Sequence, residues 1–337
     1  MKILTVLDIK KLIQICGFEN FFNRLIAALE NDFGCWNEFI LSPRQATYYP
    51  HGVIELMPCA DQNFYTFKYV NGHPKNPLVG KLTVVAIGLL SDASTGYPLL
   101  ISEMTLLTAL RTAATGVLAA KYLAKEDAKT LAIIGTGAQA EFLVTAYGAT
   151  YPLETVRYFD IDGKAMDKFS RNLAGQKFRL TACNSIDEAI NQADIIITAT
   201  AAKKRQALFD FNEIAPGAYI HALGGDCPGK TELSVQLLEL VKLVVEYTPQ
   251  SLAEGEVQQC DENRIYAELW ELVCKQKPGR LDVREITLFD AVGFALEDYS
   301  VLRAVHELST AYQLGTEFPL IPELNDPKNL FGSLDFC

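Results

Sequence analysis

The sequence predicts an α/β protein in two parts. A Rossmann-type, doubly wound parallel-sheet domain is expected over residues 113–314, and an α+β substrate-binding and dimerisation domain over residues 1–112, joined by the tail at 315–337. Three observations predict it. After Lys129 short apolar strands alternate with helical stretches, the pattern of a parallel sheet covered by helices. Several of those strands, Thr130–Ile134 among them, are nearly continuous apolar runs, as strands buried on both faces require. That strand also leads straight into a glycine-rich turn and a helix. A length of 337 residues accommodates two domains at about 150 residues each.

In chain order, Ile9–Ala28 has helical periodicity with a break near Gly17. The segment Gln45–His51 reads as a loop. Val53–Met57, Phe64–Val70 and Leu82–Leu90 are rich in β-branched and aromatic residues and read as strands. Between the last two lies the turn-rich stretch NGHPKNP, and Gly96 and Pro98 separate the third from a strand near Leu99–Ser102. From Glu103 to Leu123, Leu106, Leu107, Leu110, Ala113, Ala114, Val117 and Leu118 recur at helical spacing, giving a long helix that bridges the two parts. Further strands are expected at Val156–Asp160, Phe178–Ala182, Asp194–Thr198, Tyr219–Leu223, Lys242–Glu246 and Ile286–Asp290. Helices such as Gln139–Tyr147, Ala165–Ala174 and Ile186–Gln192 fit the gaps, and a last helix near Leu296–Tyr312 precedes a proline-rich tail.

Composition narrows the function classes. The chain is 49% hydrophobic and 21% charged, and 30 Lys and Arg against 41 Asp and Glu give a net charge of −11. No basic block stands out, so neither nucleic acid nor an anionic membrane surface is an expected partner. No run reaches the ~18 apolar residues of a membrane span. The run Ile3–Leu7 is cut by Asp8, Lys10 and Lys11, too early for a signal peptide. Cysteines stand at positions 16, 35, 59, 183, 227, 260, 274 and 337, without a Cys-x-x-Cys pair or a nearby His at metal-ligand spacing. No metal site is expected, and the thiols read as reduced, which places the chain in the cytoplasm.

The chemistry-bearing residues fall into three groups. In Gly135-Thr-Gly-Ala-Gln-Ala140, Gly135 permits the tight turn, Gly137 lets backbone approach a pyrophosphate, and Ala140 keeps helix and sheet close. The helix that follows offers free N–H groups to phosphate. The next strand ends in Asp160, placed to accept from a ribose 2′-hydroxyl and to repel a 2′-phosphate, so NAD is the expected cofactor rather than NADP. Thr200 closes a further strand on the same edge of the sheet.

The second group is Gly224-Gly-Asp-Cys-Pro-Gly-Lys230, after the strand Tyr219–Leu223. Two glycines before a carboxylate allow a ligand close to the backbone, which would set Asp226 at the nicotinamide end of the cofactor. Alternatively Asp226 caps a helix beginning near Thr231, and Lys230 is either solvated or a cofactor contact. The third group is Arg44, Lys68 and Arg111, cations in or beside apolar segments. They would clamp a carboxylate or form salt bridges. Glu55, an acid within Val53-Ile-Glu-Leu-Met57, faces outward or is functional.

The segments GVIELMP, FKYVNGHP, RTAATG, GTGAQAEF, GGDCPGKTEL, VEYTPQ, EGEVQQ and FDAVGFALEDYSVLR, in this order and spacing, closely resemble the ornithine cyclodeaminase and mu-crystallin family. The resemblance spans nearly the whole chain. It implies a homodimer that converts L-ornithine to L-proline and ammonia with tightly held NAD, the hydride leaving the substrate and returning so that no net redox change occurs. By matching position, Arg44, Lys68 and Arg111 would hold the substrate carboxylate and Val292 would line the substrate. Asp226 would be the catalytic carboxylate at the δ-amine, with Glu55 assisting through water. Thr83, Arg111, Gly135, Gly137, Ala138, Gln139, Asp160, Thr200, Leu223, Gly224, Gly225, Asp226, Lys230 and Ala291 would line the cofactor. Ala291 stands where the family pattern has serine, which removes one cofactor hydrogen bond, and the segment Gln45–His51 also departs from the pattern. Competing readings are a ketimine reductase using a reduced nicotinamide, a lysine cyclodeaminase, and a non-catalytic small-molecule binder. One methylene separates lysine from ornithine, a difference worth about 1–3 kcal/mol in a pocket.

Overall fold

The structure, a computed structural model, describes residues 1–202 and 204–334. Cys337 and the last residues of the expected returning tail lie outside the described residues. In chain order the elements are β1 (Lys2–Leu4), α1 (Val6–Cys16), α2 (Phe18–Gly34), β2 (Ile40–Leu41), β3 (Gln45–Tyr49), β4 (Gly52–Ala60), β5 (Phe64–Gly72), β6 (Val84–Asp92), β7 (Pro98–Glu103) and α3 (Thr105–Leu123). There follow β8 (Thr130–Ile134), α4 (Ala140–Thr150), β9 (Thr155–Phe159), α5 (Gly163–Asn172), β10 (Arg179–Ala182), α6 (Ile186–Ile190), β11 (Ile195–Thr198), β12 (Tyr219–Ala222), α7 (Val235–Leu240), β13 (Lys242–Val245) and α8 (Thr248–Glu254). The chain ends with β14 (Ala267–Glu268), α9 (Leu269–Val273), β15 (Thr287–Asp290), α10 (Ala295–Ala311) and β16 (Thr316–Glu317).

The strands make two sheets. The first runs β16-β1-β7-β6-β5-β4-β2, with β3 also paired to β4, and is antiparallel except where β1 meets β7. The second runs β10-β9-β8-β11-β12-β15-β13-β14 and every pairing in it is parallel. Its order reverses at β8, so the crevice for a ligand lies outside the carboxyl ends of β8 and β11. The segments that follow those ends are the ones the sequence singled out: the Gly135 turn after β8, Thr200 after β11, Gly224–Asp226 after β12 and Ala291–Val292 after β15.

Two long helices join the sheets. In α3 nearly every residue from Leu107 to Ala120 is buried, because small side chains let it approach α2, α4 and α10 together. The inner face of the first sheet is covered by α10, which packs on β4, β5 and β6. In β5, Thr66, Lys68 and Val70 point under that helix while Tyr65 and Tyr69 point outward, as strand alternation dictates.

Three expectations are corrected here. Residues 45–49 are a strand, not a loop, because each finds a partner across a tight hairpin on β4. No helix starts at Thr231, so Asp226 caps none; the next helix is α7, capped by Ser234, whose hydroxyl accepts from Leu237 N. The chain returns to the first layer with α10, well before 315, because the apolar face of that helix completes the core under β4–β6.

Candidate active site

The Gly135 turn is built for close backbone approach. Gly135 has φ +99°, and its N–H donates to Phe159 O across to the neighbouring strand. Asp160 closes the turn from the end of β9: its Oδ2 accepts from Thr136 N at 2.6 Å and from Thr136 Oγ1 at 3.1 Å. Lys168 on α5, which sequence reasoning passed over, donates to the carbonyls of Thr136 and Gly137 at 2.9 and 3.0 Å. With the carbonyls held from that side, Gly137 and Ala138 stand exposed at the N-terminus of α4, and no atom lies within 4 Å of where a Gly137 Cβ would be. Gln139 contributes a buried Oε1 without a protein partner. Exposed N–H groups at a helix start, an acid at the next strand end and an open glycine fit a dinucleotide. Among the described residues no group of His, Cys, Asp and Glu is arranged to hold a metal.

Across the crevice, Leu223 N donates to Thr198 O and carries the backbone into Gly224 and Gly225. The two glycines also serve the packing beneath the loop. A Cβ on Gly224 would lie 1.9 Å from Glu232 Oε2, and one on Gly225 would lie 2.4 Å from Glu256 Oε1. Buried carboxylates therefore underlie the loop. Glu232 accepts from Thr200 N at 2.8 Å and from Thr200 Oγ1, and Glu256 accepts from Glu232 N and Leu233 N at 2.8 and 3.0 Å. Glu256 is in turn fixed by Asp290 at the end of β15, which accepts from Glu256 N and Val257 N. Burial pushes the Asp290 carboxyl up to about 7. Lys230 donates to Thr200 O at 2.9 Å and to Asp226 Oδ1 at 3.1 Å, so it is neither solvated nor idle. Asp226 itself remains half-exposed, the one carboxylate of this loop that faces the crevice.

The three cations converge, and each already has protein partners. Arg44 reaches Glu55 through Nη1 at 3.2 Å, Glu254 through Nε at 3.0 Å, and the carbonyls of Val292 and Gly293 through Nη2 at 2.7 Å. Lys68, buried under α10, pairs with Asp298 at 2.8 Å. Arg111 pairs with Glu297 through Nη1 and with Asp298 through Nε at 3.2 Å. Glu55 is thus inward and paired rather than outward. The sequence set three cations against two carboxylates; the structure adds Glu254, Glu297 and Asp298 in direct contact with them. Burial pulls the Lys68 ammonium down to about 8, opposed by Asp298 and reinforced by Arg111. Burial also pushes Glu254 up to about 7, opposed by Arg44 and reinforced by Glu55 and Asp226. Glu254 comes from EGEVQQ, and Glu297 and Asp298 from ALEDY, where two acids interrupt an otherwise apolar helix start. Thr83 stands apart: its carbonyl accepts from His73 N before β6, and no hydrogen bond ties it to the cluster. Ala291 N donates to Ala222 O, so that residue acts through its backbone.

The model of the ornithine cyclodeaminase/mu-crystallin family matches residues 8–312. A curated relative, ornithine cyclodeaminase of Agrobacterium tumefaciens (strain Ach5), is 48% identical over 97% of this chain and 92% of its own. The chain belongs to the ornithine cyclodeaminase/mu-crystallin family. Solved members with other activities share its fold. A lysine cyclodeaminase, described for its recognition of L-lysine, L-ornithine and L-2,4-diaminobutyric acid, superposes with TM-score 0.90 at 26% identity, covering 98% of each chain. An archaeal alanine dehydrogenase dimer with bound NAD superposes with TM-score 0.88 at 28% identity, covering 95% of this chain and 99% of the other. The site thus has two halves, a glycine turn at the crevice of the parallel sheet and a cluster of buried cations with their acids.

Proposed function

We propose that this chain is an ornithine cyclodeaminase that converts L-ornithine to L-proline and ammonia. The observation that carries the reading is the meeting of Arg44, Lys68 and Arg111 beside a half-exposed Asp226, at the mouth of the dinucleotide crevice and in a chain 48% identical to a named ornithine cyclodeaminase. The cofactor is NAD, held by the Gly135 turn, the start of α4, Asp160, Thr200 and the Leu223–Asp226 loop. When bound, NAD supplies a hydride acceptor and donor for the substrate Cα.

The residues of the chain then have separable tasks. Arg111 Nη2 has no protein acceptor among the described residues, and Lys68 has N–H donors beyond its bond to Asp298, so both can take a substrate carboxylate directly. Arg44 has both Nη atoms hydrogen-bonded and its Nε ion-paired with Glu254, and its hydrogen bonds to Glu55 at 3.2 and 3.3 Å are the loosest. A substrate carboxylate replaces Glu55 there, which frees Glu55 to hold a water. Fixing the carboxylate from several sides fixes Cα, where a misplacement of about 1 Å can cost 10²-fold in rate. Ring closure requires a neutral δ-amine, yet an alkylammonium is the stable form near neutrality. Asp226 Oδ2 takes that proton, while Oδ1 stays on Lys230, and returns it to the departing ammonia. Val292 walls the methylene chain.

The test is product stoichiometry. Purified protein with L-ornithine and NAD should release ammonia and proline in equal amounts without net NADH, and Asp226→Asn should keep NAD binding while losing turnover. Stoichiometric consumption of NADH with a cyclic ketimine would favour a reductase, and pipecolate from L-lysine at a higher kcat/KM would favour the lysine enzyme. An Asp226→Asn variant that still released ammonia at the unmodified rate would remove Asp226 from the mechanism.

We also propose that the protein is a cytoplasmic homodimer joined through the outer face of the first sheet. Leu56, Tyr69 and Ile87 stand side by side across β4, β5 and β6, all exposed, with Tyr65 and Val85 beside them. A row of this kind on a water-facing sheet marks an association surface.

A further inference from the structure

Beneath the three cations lies a buried group with no role in the scheme above. Glu246 directly follows the strand β13 and is almost fully buried. Its Oε2 accepts from both Val292 N at 3.0 Å and Gly293 N at 2.7 Å. Those two residues present the carbonyls that take Arg44 Nη2, and Gln250 Nε2 donates to Gly293 O at 2.6 Å. Glu246 also lies against Glu297, close enough that the two carboxyls oppose each other's charge, and Glu297 Oε2 pairs with Arg111.

We propose that Glu246 is a positioning residue that couples Arg44 to Arg111, holding the Val292–Gly293 turn on one side and Glu297 on the other. The inference rests on reading these cations as the site of a substrate carboxylate. The chemistry fixes where the proton sits. Two carboxyls buried side by side resist both being ionised. Glu297 carries the ion pair with Arg111, and its Oε1 receives no nitrogen or hydroxyl donor. The proton therefore belongs to Glu246, which donates it to Glu297 while its other oxygen accepts two backbone N–H groups. Burial, with Glu297 beside it, holds Glu246 well above the ordinary carboxyl range, which agrees. Gly293 seals the arrangement: a Cβ there would lie 2.8 Å from Arg111 Nη1 and Nη2. A protonated Glu246 thus acts as a neutral clip between two guanidiniums, each of which has to meet the same carboxylate. A charge at this place would serve no better than an amide of the same shape.

The experiment compares Glu246→Leu, which removes both hydrogen-bonding functions, with Glu246→Gln, which keeps an acceptor for the turn and a donor for Glu297. The readouts are NAD affinity by fluorescence titration, calorimetric binding of L-proline to the NAD-loaded protein, and KM and kcat for L-ornithine. Glu246→Leu should weaken L-proline binding and raise KM by about 10–100-fold with NAD affinity unchanged, and Glu246→Gln should restore both to within about threefold. A Leu variant with L-proline binding within about twofold of the unmodified protein, a parallel loss of NAD affinity, or a Gln variant as impaired as Leu would each overturn the proposal. If Glu246→Leu does not fold, Glu246→Gln decides alone, and a loss of L-proline affinity beyond about tenfold rejects it. Because L-proline binding needs no turnover, failure of the cyclodeaminase reading shows separately, as unmodified protein that binds L-proline but forms none from ornithine.

Discussion

At the scale of single residues, the site depends on charges that the interior tolerates only in combination. Lys68 has its ammonium sealed under α10, where desolvation disfavours the charged form and Asp298 alone restores part of it. With its pKa drawn down to about 8, this lysine is cationic at neutral pH and loses its proton at an alkalinity where an exposed lysine would not. Under the proposed carboxylate-binding role only the charged form holds the substrate, so affinity is present below that pH and lost above it. KM for L-ornithine should therefore climb above about pH 8 while kcat changes little, and Lys68→Arg, whose guanidinium stays charged, should move that limb upward. A KM that is flat to pH 10 would take Lys68 out of carboxylate binding. Glu254 has the opposite problem, a carboxylate beside two others, and Arg44 is what keeps it partly charged at neutrality.

At the scale of elements, strand ends and the turns after them carry the chemistry, and helices supply their constraints. The turn after β15 shows this best. Gly293 sits at φ +82° with the Arg111 guanidinium where a Cβ would go, so any larger residue both strains the backbone and pushes the guanidinium aside. Gly293→Ala should cost about 1–3 kcal/mol in chemical denaturation and raise KM for L-ornithine more than it lowers NAD affinity. An Ala variant with unaltered stability and KM would show that the turn relaxes freely. In the Gly224–Gly225 turn, Glu232 and Glu256 crowd the glycines as Arg111 crowds Gly293, so the protein's own acids also demand glycine there.

At the scale of the whole molecule, α10 and α3 lock the two sheets into one frame, because α10 covers the first sheet while Glu297 and Asp298 at its start reach Arg111 on α3. What remains uncovered is the outer face of β4–β6. Ile87→Lys combined with Tyr69→Lys places two charges in the middle of that face and should convert a dimer to a monomer in sedimentation or light scattering, with the fold retained by circular dichroism. A double variant that sediments as the unmodified protein does would move the interface elsewhere.

The period and composition of the chain were enough for the α/β class, the positions of most parallel strands, the long bridging helix and the dinucleotide turn, since each is dictated by residues close together in sequence: apolar runs, helical spacing, glycines before a helix. Arg44, Lys68, Arg111 and Glu55 were visible as charges in or beside apolar segments, where charges are expensive, and Asp226 as a carboxylate after two glycines. Their partners were not visible, because Glu254, Glu297 and Asp298 reach them from segments as many as 230 residues away, and no local pattern records which buried acid meets which cation. Position 45–49 read as a loop for a related reason: its strand exists only because β4 offers a paired edge. The sequence by itself determined which groups had to be neutralised, through the cost of burying them. The tertiary structure decided by which partners, because that choice depends on distances of about 3 Å between atoms that only folding brings together.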